Sequence, residues 1–334
     1  MLFVRAAVRF SIFGLTLGWL LNAAVAQPPA APKADDKAES PKVDDKKPRY
    51  RRLIPGVETT IPVDNHEEET FSQHDIVEIL QGIPGLDWKP HSTGETRTLK
   101  MMATQAMFRK DVWNLEFTFK PMRMIWVDVP QEGGKAERKL IYYIVYHVKN
   151  PGRHFHAEPP PANPNNILPV DPAPDGRFKM TQVDMPVRFM PLFSLENTEK
   201  KKAYLDRLIP AAVPEIRNRE DPNRPLLNSV EISQKPIEVS KEGEDKSVWG
   251  VVTWEDIDPT LDFFSVVIEG LSNAQKWYDP PNVWKTGDKP AAGRKFVSKM
   301  LVLNFWRPGD EFLPDERTIY FGAPGKIDYR WIYR

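Results

Sequence analysis

The feature that most constrains the fold of this chain is a segment, residues 139–149, that is apolar on both of its alternating faces. One face carries Leu140, Tyr142, Ile144, Tyr146 and Val148, and the other carries Ile141, Tyr143, Val145 and His147. Successive side chains of a strand point to opposite faces of a sheet, so this pattern predicts a strand that is buried on both sides. Such a strand is typical of the centre of a β-sandwich, and we therefore expect a mainly β protein.

Alternating or apolar runs recur along the rest of the chain. Within residues 112–120, Leu115, Phe117 and Phe119 share one face, with polar side chains opposite. Pro-Gly pairs favour type II turns and occur at 55/56, 84/85, 151/152, 308/309 and 324/325. Further strands are predicted at residues 122–129, 187–195, 229–233, 248–254, 263–269, 299–306, 317–321 and 328–333.

Two segments predict helices against this β background. Residues 72–81 begin with a capping-box-like serine and repeat their apolar residues at helical spacing. Residues 198–219 carry an apolar helical face, but Pro210 and Pro214 must break or kink such a helix. The proline-rich residues 157–176 predict a long extended loop.

The first 26 residues have the pattern of an export signal. Arg5 and Arg9 precede an uncharged run over residues 10–21, and small residues at Ala24 and Ala26 fit a cleavage site. We therefore expect an exported protein that is periplasmic, part of the cell envelope or secreted. Contact with a membrane is expected only if the signal stays uncleaved as an anchor, because a spanning helix needs roughly 20 apolar residues.

Composition divides the remaining chain into three parts. Residues 27–52 are rich in proline and charge and nearly free of large apolar side chains, which predicts a disordered linker. Residues 53–104 predict a partly helical N-terminal extension, and residues 105–334 predict a β-sandwich domain.

Two features of the composition exclude whole classes of function. The chain has no cysteine, so disulfides, thiol catalysis, a lipidated cysteine and cysteine-based metal sites are excluded. The 46 basic and 46 acidic residues balance, and we therefore expect no nucleic-acid partner.

Three stretches carry a resemblance to a known group of proteins. They are VWGVVTWEDIDP at residues 248–259, LNFWRPGDEF at 303–312 and DYRWIYR at 328–334. Over about residues 105–334 the chain resembles uncharacterised exported proteins of planctomycete-type bacteria. The resemblance implies an immunoglobulin-like β-sandwich, to which the sequence adds one or two short helices and long proline-rich loops. It implies no established activity, so no catalytic residues carry over.

Two places offer possible metal ligands. His154 and His156 alternate in an extended segment and can present two imidazoles on one side, whereas zinc needs three or four ligands. Asp256, Asp258 and Asp262 supply the oxygens that calcium prefers, without the spacing of an EF-hand loop. Alternatively, the first two aspartates hydrogen-bond the backbone of their own turn. We expect no cofactor, with calcium binding at these aspartates as the alternative.

The aromatic residues of the C-terminal third suggest a binding surface. Trp277, Tyr278 and Trp284 flank the segment 279–281, Asp-Pro-Pro, which predicts an exposed loop. Most other tryptophans are expected in the core between two sheets. The sequence thus favours an exported, non-enzymatic protein that acts by binding or assembly, with an envelope protein or a glycan as partner.

A hydrolase acting on envelope polysaccharide is the alternative. Its carboxylates would come from Glu255, Asp256 and Asp258 or from Asp310 and Glu311. That chemistry needs two carboxyl groups about 5 to 10 Å apart across a cleft, and sequence gives no distance. The common nucleophile, zinc-protease and nucleotide-binding motifs are missing from the sequence.

Overall fold

The structure, a computed structural model, describes residues 57–74, 106–131, 134–158, 179–197, 201–281, 293–308 and 318–334, apart from the side chains of residues 73, 74, 106 and 107. These residues all belong to one unit of the chain, Pro48–Arg334. The predicted signal, the linker, most of the N-terminal extension and nearly all of the proline-rich loop lie outside the described residues.

Strands dominate the described residues, which confirms a mainly β protein. In chain order they are β1 (Thr59–Ile61), β2 (Phe71–His74), β3 (Ala106–Arg109), β4 (Glu116–Phe119), β5 (Arg123–Pro130), β6 (Ala136–Lys149), β7 (His154–Ala157), β8 (Met180–Val183), β9 (Val187–Arg188), β10 (Leu192–Asn197), β11 (Lys202–Leu205), β12 (Pro236–Ile237), β13 (Val248–Trp254), β14 (Phe263–Glu269), β15 (Gln275–Tyr278), β16 (Lys295–Trp306), β17 (Tyr320–Phe321) and β18 (Tyr329–Tyr333). The helices are α1 (Ala212–Glu220), α2 (Ser229–Ser233) and a 3-10 helix at Glu67–Thr70.

Two sheets hold most of these strands. The first has the order β1-β4-β6-β13, with β5 also paired to β6. The second has the order β11-β10-β14-β16-β15, with β17 and β18 also paired to β16. Three two-stranded sheets, β2-β3, β7-β8 and β9-β12, complete the set among the described residues. Every named strand pair is antiparallel.

The two large sheets pack face to face around one core. Tyr146 of the first sheet meets Phe193 of the second with ring centroids 5.1 Å apart. Phe119 and Phe305 meet in the same way at 6.2 Å. These side chains and their neighbours are almost fully buried, so the largest aromatic residues fill the space between the sheets.

Strand β6 is buried on both faces, as its sequence predicts. Its inner face contributes Tyr142, Ile144, Tyr146 and Val148 to the core between the sheets. Its outer face, with Ile141, Tyr143 and Val145, packs in a second cluster beneath Ile216 of α1. A helix thus takes the place of solvent on the outer side of this strand.

Two predicted Pro-Gly turns have the backbone that a type II turn needs. Gly152 has a φ of 68° and Gly325 a φ of 72°, both in the left-handed region that favours glycine. At position 152 a Cβ would also lie 2.4 Å from Oδ1 of Asp184, so the turn leaves no room for a side chain.

Two predicted elements are wrong, and a third is described only at its first residues. Residues 229–233 form helix α2 rather than a strand, because Asn228 and Glu231 make a complete capping box. Residues 198–219 are not one helix: β11 occupies Lys202–Leu205, and α1 begins only at Ala212. The predicted helix at 72–81 begins inside strand β2, and its residues 75–81 lie outside the described residues.

None of the helices in the described part of the chain is long and apolar enough to span a membrane.

Candidate functional site

The candidate binding surface lies on the hairpin formed by β15 and the first residues of β16. Trp277 is paired with Phe296, and Tyr278 with Lys295. Directly opposed residues share a face of an antiparallel pair, so Trp277 and Phe296 lie on one face and Tyr278 lies on the other. Trp284, the third predicted member, falls outside the described residues.

Exposure separates these aromatic residues from the aromatic core. Tyr278 of β15 is 48 % exposed and Phe296 of β16 is 68 % exposed. Phe305, further along β16, is only 1 % exposed. Strand β16 therefore changes along its length from a hairpin arm in solvent to a core strand. Phe296, beside Trp277 on one face of the hairpin, marks a surface that could bury apolar area on a partner, and Tyr278 is exposed on the opposite face.

A cation and a carboxylate hold Trp277 in place. The guanidinium of Arg294 lies 4.0 Å from the Trp277 ring centroid. Its Nε and Nη2 donate to the two carboxylate oxygens of Asp279, each at 2.9 Å. This bidentate pair fixes the plane of the guanidinium against the ring, so the aromatic surface is ordered before any partner binds.

The base of the hairpin is tied to the last strand. Nζ of Lys276 lies 4.1 Å from the ring centroid of Tyr333 in β18. The backbone of Arg334 exchanges hydrogen bonds with Ser298, just where the β15–β16 pairing begins. The hairpin is thus anchored at one end, and its exposed aromatic residues lie beyond that anchor.

The acidic segment after β13 is engaged by basic side chains. Nζ of Lys139 contacts Oε2 of Glu255 at 3.2 Å and Oδ2 of Asp256 at 3.1 Å. Hydrogen bonds to Asp256 and then to Glu255 raise the pKa of Lys139. Nε of Arg207 lies 3.2 Å from the other oxygen of Glu255.

Asp258 caps its own turn, which is the alternative that the sequence left open. Its Oδ1 accepts from the backbone N–H of Thr260 at 3.0 Å and from the Thr260 hydroxyl at 2.7 Å. Its Oδ2 pairs with Nζ of Lys202 at 2.9 Å. Asp262 is exposed, and its backbone carbonyl accepts from the Arg307 N–H at 2.8 Å.

The two candidate histidines have different partners. Nε2 of the buried His154 lies 3.0 Å from Oδ1 of Asn150, and burial lowers the pKa of this imidazole. Nδ1 of His156 lies 2.6 Å from Oδ1 of Asp111. Within the described ranges, no group of three or more histidine, aspartate or glutamate side chains is placed to hold a metal ion.

The residues considered for a hydrolase are only partly described. Glu255, Asp256 and Asp258 lie together at one turn, where lysine and arginine side chains contact them. Asp310 and Glu311 lie outside the described residues.

Sequence reasoning missed Phe296 and Arg294. Phe296 precedes the predicted strand at 299–306, and extending that strand to Lys295 would have found it. No sequence signal links Arg294 to Trp277, because their contact follows from the cross-strand register alone.

The chain matches no protein-family model, and neither a curated protein nor a solved structure matches it.

Proposed function

We propose that this chain is an exported protein of the cell envelope or periplasm that acts by binding or assembly and not by catalysis. The export pattern at Arg5, Arg9 and Ala24–Ala26 supports the location. The exposed aromatic residues of the β15–β16 hairpin support the mode of action.

The observation that carries this proposal is the exposure of Phe296, which shares a face of the hairpin with Trp277, the ring that Arg294 stacks on. Tyr278 is exposed on the opposite face of the same hairpin. Aromatic residues and arginine are enriched in protein interfaces and contribute most of the binding energy there. An arginine held by a carboxylate loses little further freedom on binding, so this surface is preorganised. A protein of the envelope is the partner that this composition favours, and a glycan is the other candidate.

The architecture we propose is an immunoglobulin-like β-sandwich related to exported proteins of planctomycete-type bacteria. Two antiparallel sheets with one shared core support the sandwich. The resemblance of residues 248–259, 303–312 and 328–334 supports the relationship.

The acidic turn supports binding better than hydrolysis. Its three described acids lie together at one turn, where they contact Lys139, Lys202 and Arg207. A hydrolase of this type needs two carboxyl groups that face each other across a cleft.

The test is in-cell crosslinking of a tagged protein in its native cells, followed by purification and mass spectrometry. We expect one reproducible envelope partner with the unaltered protein. The double variant Tyr278→Ser, Phe296→Ser should lose that partner, because it removes the two most exposed rings of the hairpin.

Trp126→Ser is the matched control. Trp126 is also an exposed aromatic residue, at 44 %, and also has an arginine near its ring, but it lies on β5. Loss of the partner in the control but not in the hairpin variant would contradict the proposal. So would turnover of a polysaccharide by the purified protein.

A further inference from the structure

A buried lysine of strand β16 contacts a buried glutamate of the 3-10 helix. Nζ of Lys299 lies 2.6 Å from Oε1 of Glu69. The lysine side chain is 1 % exposed and the glutamate side chain 3 %. Two charges that leave water lose their hydration, and their mutual attraction makes up for it only when hydrogen bonds satisfy the remaining atoms of both groups.

The carboxylate of Glu69 is satisfied on one side only. Its Oε1 accepts from Lys299 Nζ and from the Tyr333 hydroxyl. Its Oε2 is buried and has no hydrogen-bond partner in the described part of the chain. The nearby ammonium of Lys110 donates instead to the Asn273 carbonyl at 3.2 Å. Half of the buried carboxylate thus has neither water nor a donor, which leaves the ion pair poorly compensated.

A second carboxylate connects the same lysine to solvent. Oδ2 of Asp64 lies 3.0 Å from Lys299 Nζ, and its Oδ1 lies 3.1 Å from Nε2 of His66. The Asp64 side chain is partly exposed and that of His66 is largely exposed. Asp64 can therefore exchange protons with the lysine nitrogen while the glutamate stays out of water.

We propose that Lys299 and Glu69 condense to an isopeptide bond, in which the lysine Nζ becomes an amide nitrogen on Cδ of Glu69. The ammonium gives one proton to Asp64, and the neutral amine then attacks Cδ. The Tyr333 hydroxyl stabilises the charge that develops on Oε1, and this oxygen remains as the amide carbonyl. Asp64 carries the two protons that the nitrogen loses to Oε2, which leaves as water. One ammonium and one carboxylate thereby give a neutral amide and one water molecule, with no oxidant and no net gain or loss of protons.

Three features of this place favour the reaction. The folded chain holds the amine against the carboxyl group, and groups held in a reactive geometry can behave as if their concentration were about 10⁵–10⁸ M. Burial, to which the Trp331 ring 5.7 Å from Nζ contributes, keeps water away from the product and slows its hydrolysis. The amide also replaces two buried charges, so their desolvation cost disappears.

The bond supplies a covalent link that the chain cannot make in another common way. The sequence has no cysteine, so disulfides cannot join distant segments. Lys299 and Glu69 are 230 positions apart. Their bond ties the segment before β2 to a central strand of the second sheet and closes a loop that persists in the unfolded chain. A closed loop lowers the entropy of the unfolded chain and so stabilises the fold.

Peptide mapping of the purified full chain tests the bond without any variant. Trypsin does not cleave after an acylated lysine, so we expect a branched peptide in which Glu69 is joined to an uncleaved Lys299 and one water is missing. Tandem mass spectrometry locates the branch. Recovery of the linear peptides alone, with both side chains free, would overturn the proposal. A branch at Asp64 would overturn the assignment of Glu69 as the acceptor.

Lys139 and Glu255 provide a control within the same digest. Nζ and Oε2 of this pair lie 3.2 Å apart, but the side chains are 18 % and 15 % exposed. We expect both residues in linear peptides. An equal amount of branched peptide from this pair would contradict a bond that depends on burial.

Variants test the role of each group. Lys299→Arg keeps a positive charge but offers no amine, so the branched peptide should be absent, and its persistence would overturn the proposal. Asp64→Asn keeps both reacting groups and removes the proton carrier. In a time course after synthesis, we expect its branched peptide to form at least about tenfold more slowly. Asp128→Asn, at an exposed aspartate of β5, should leave the rate unchanged. An unchanged rate in Asp64→Asn would contradict the role of Asp64.

Discussion

At the scale of single residues, a buried lysine joins two distant parts of the chain. Lys299 of β16 is 1 % exposed and contacts Oε1 of Glu69 at 2.6 Å and Oδ2 of Asp64 at 3.0 Å. The Tyr333 hydroxyl also donates to Glu69. These contacts join the segment before β2 to strands near the C-terminus, over more than 200 residues of chain.

We expect Lys299→Met to lower the free energy of unfolding by about 3–5 kcal/mol, because it leaves the Glu69 carboxylate buried without its ammonium partner. Urea denaturation measures the change. Lys299→Met combined with Glu69→Gln should recover part of the loss, since no unpaired charge then remains. Lys235→Met, at an exposed lysine, is the control and should have little effect; an equal loss there would contradict this account.

Two histidines make stability depend on pH. Burial lowers the pKa of His147 and of His154 below the ordinary value of 6.5. The unfolded chain therefore takes up protons at a higher pH than the native protein does. Stability contributed by the neutral imidazoles is complete above about pH 6.5 and falls as the pH drops below it.

We expect His147→Gln to reduce the loss of unfolding free energy between about pH 7.5 and about pH 5.5, since glutamine does not titrate there. Urea denaturation at several pH values gives the slope. NMR titration of the native imidazoles supplies the independent check. A native pKa above 6.5 for His147 would reverse the sign and contradict the prediction.

At the scale of elements, helix α1 covers the outer face of β6. Ile216 is fully buried against Ile141, Tyr143 and Val145. Ile216→Ala should cost about 2–5 kcal/mol of stability, as for a core residue. Val230→Ala, at a helical position that is 50 % exposed, should cost less than about 0.5 kcal/mol. Similar costs for the two variants would mean that α1 does not cover this face in solution.

The acidic turn after β13 yields a prediction about calcium. Ammonium groups of Lys139 and Lys202 already contact Asp256 and Asp258, and Asp258 also caps its own turn. We expect added calcium to leave the melting temperature unchanged in differential scanning calorimetry. A rise in melting temperature that disappears in the variant Asp256→Ala, Asp258→Ala would show instead that the turn binds the ion.

The strands were predictable from the sequence where apolar side chains fall at every second residue or form a short continuous run. Residues 248–254 and 263–269 form strands with the predicted bounds. Residues 229–233 alternate as well, but their Asn228–Glu231 capping box stabilises a helix that alternation does not reveal. In α1, Pro214 lies in the first turn, where its missing N–H is tolerated, so the helix starts beside the proline rather than ending there.

The candidate site was predictable in part. Adjacency to a proline-rich loop indicated an exposed position for Trp277 and Tyr278. Tyr278 is exposed, whereas Trp277 is half-buried. The partnership of Trp277 with Phe296 and Arg294 depends on the register of β15 against β16, which sequence periodicity does not specify.

At the scale of the whole molecule, the described residues combine a packed core with a hairpin that leaves it. The two sheets share a core of large aromatic side chains, which fixes the strand that carries the hairpin. The hairpin extends aromatic residues into solvent. A rigid scaffold of this kind suits binding, because little freedom is lost when a partner docks.

The most direct test of the central claim is site-specific photocrosslinking in native cells, with the photoreactive residue at position 296 or, as control, at position 126. Both positions are exposed aromatic sites, but only 296 lies on the hairpin. We predict that position 296 yields a single dominant adduct with an envelope partner and that position 126 does not. Adducts that form equally at both positions, or at neither, would contradict binding through the hairpin.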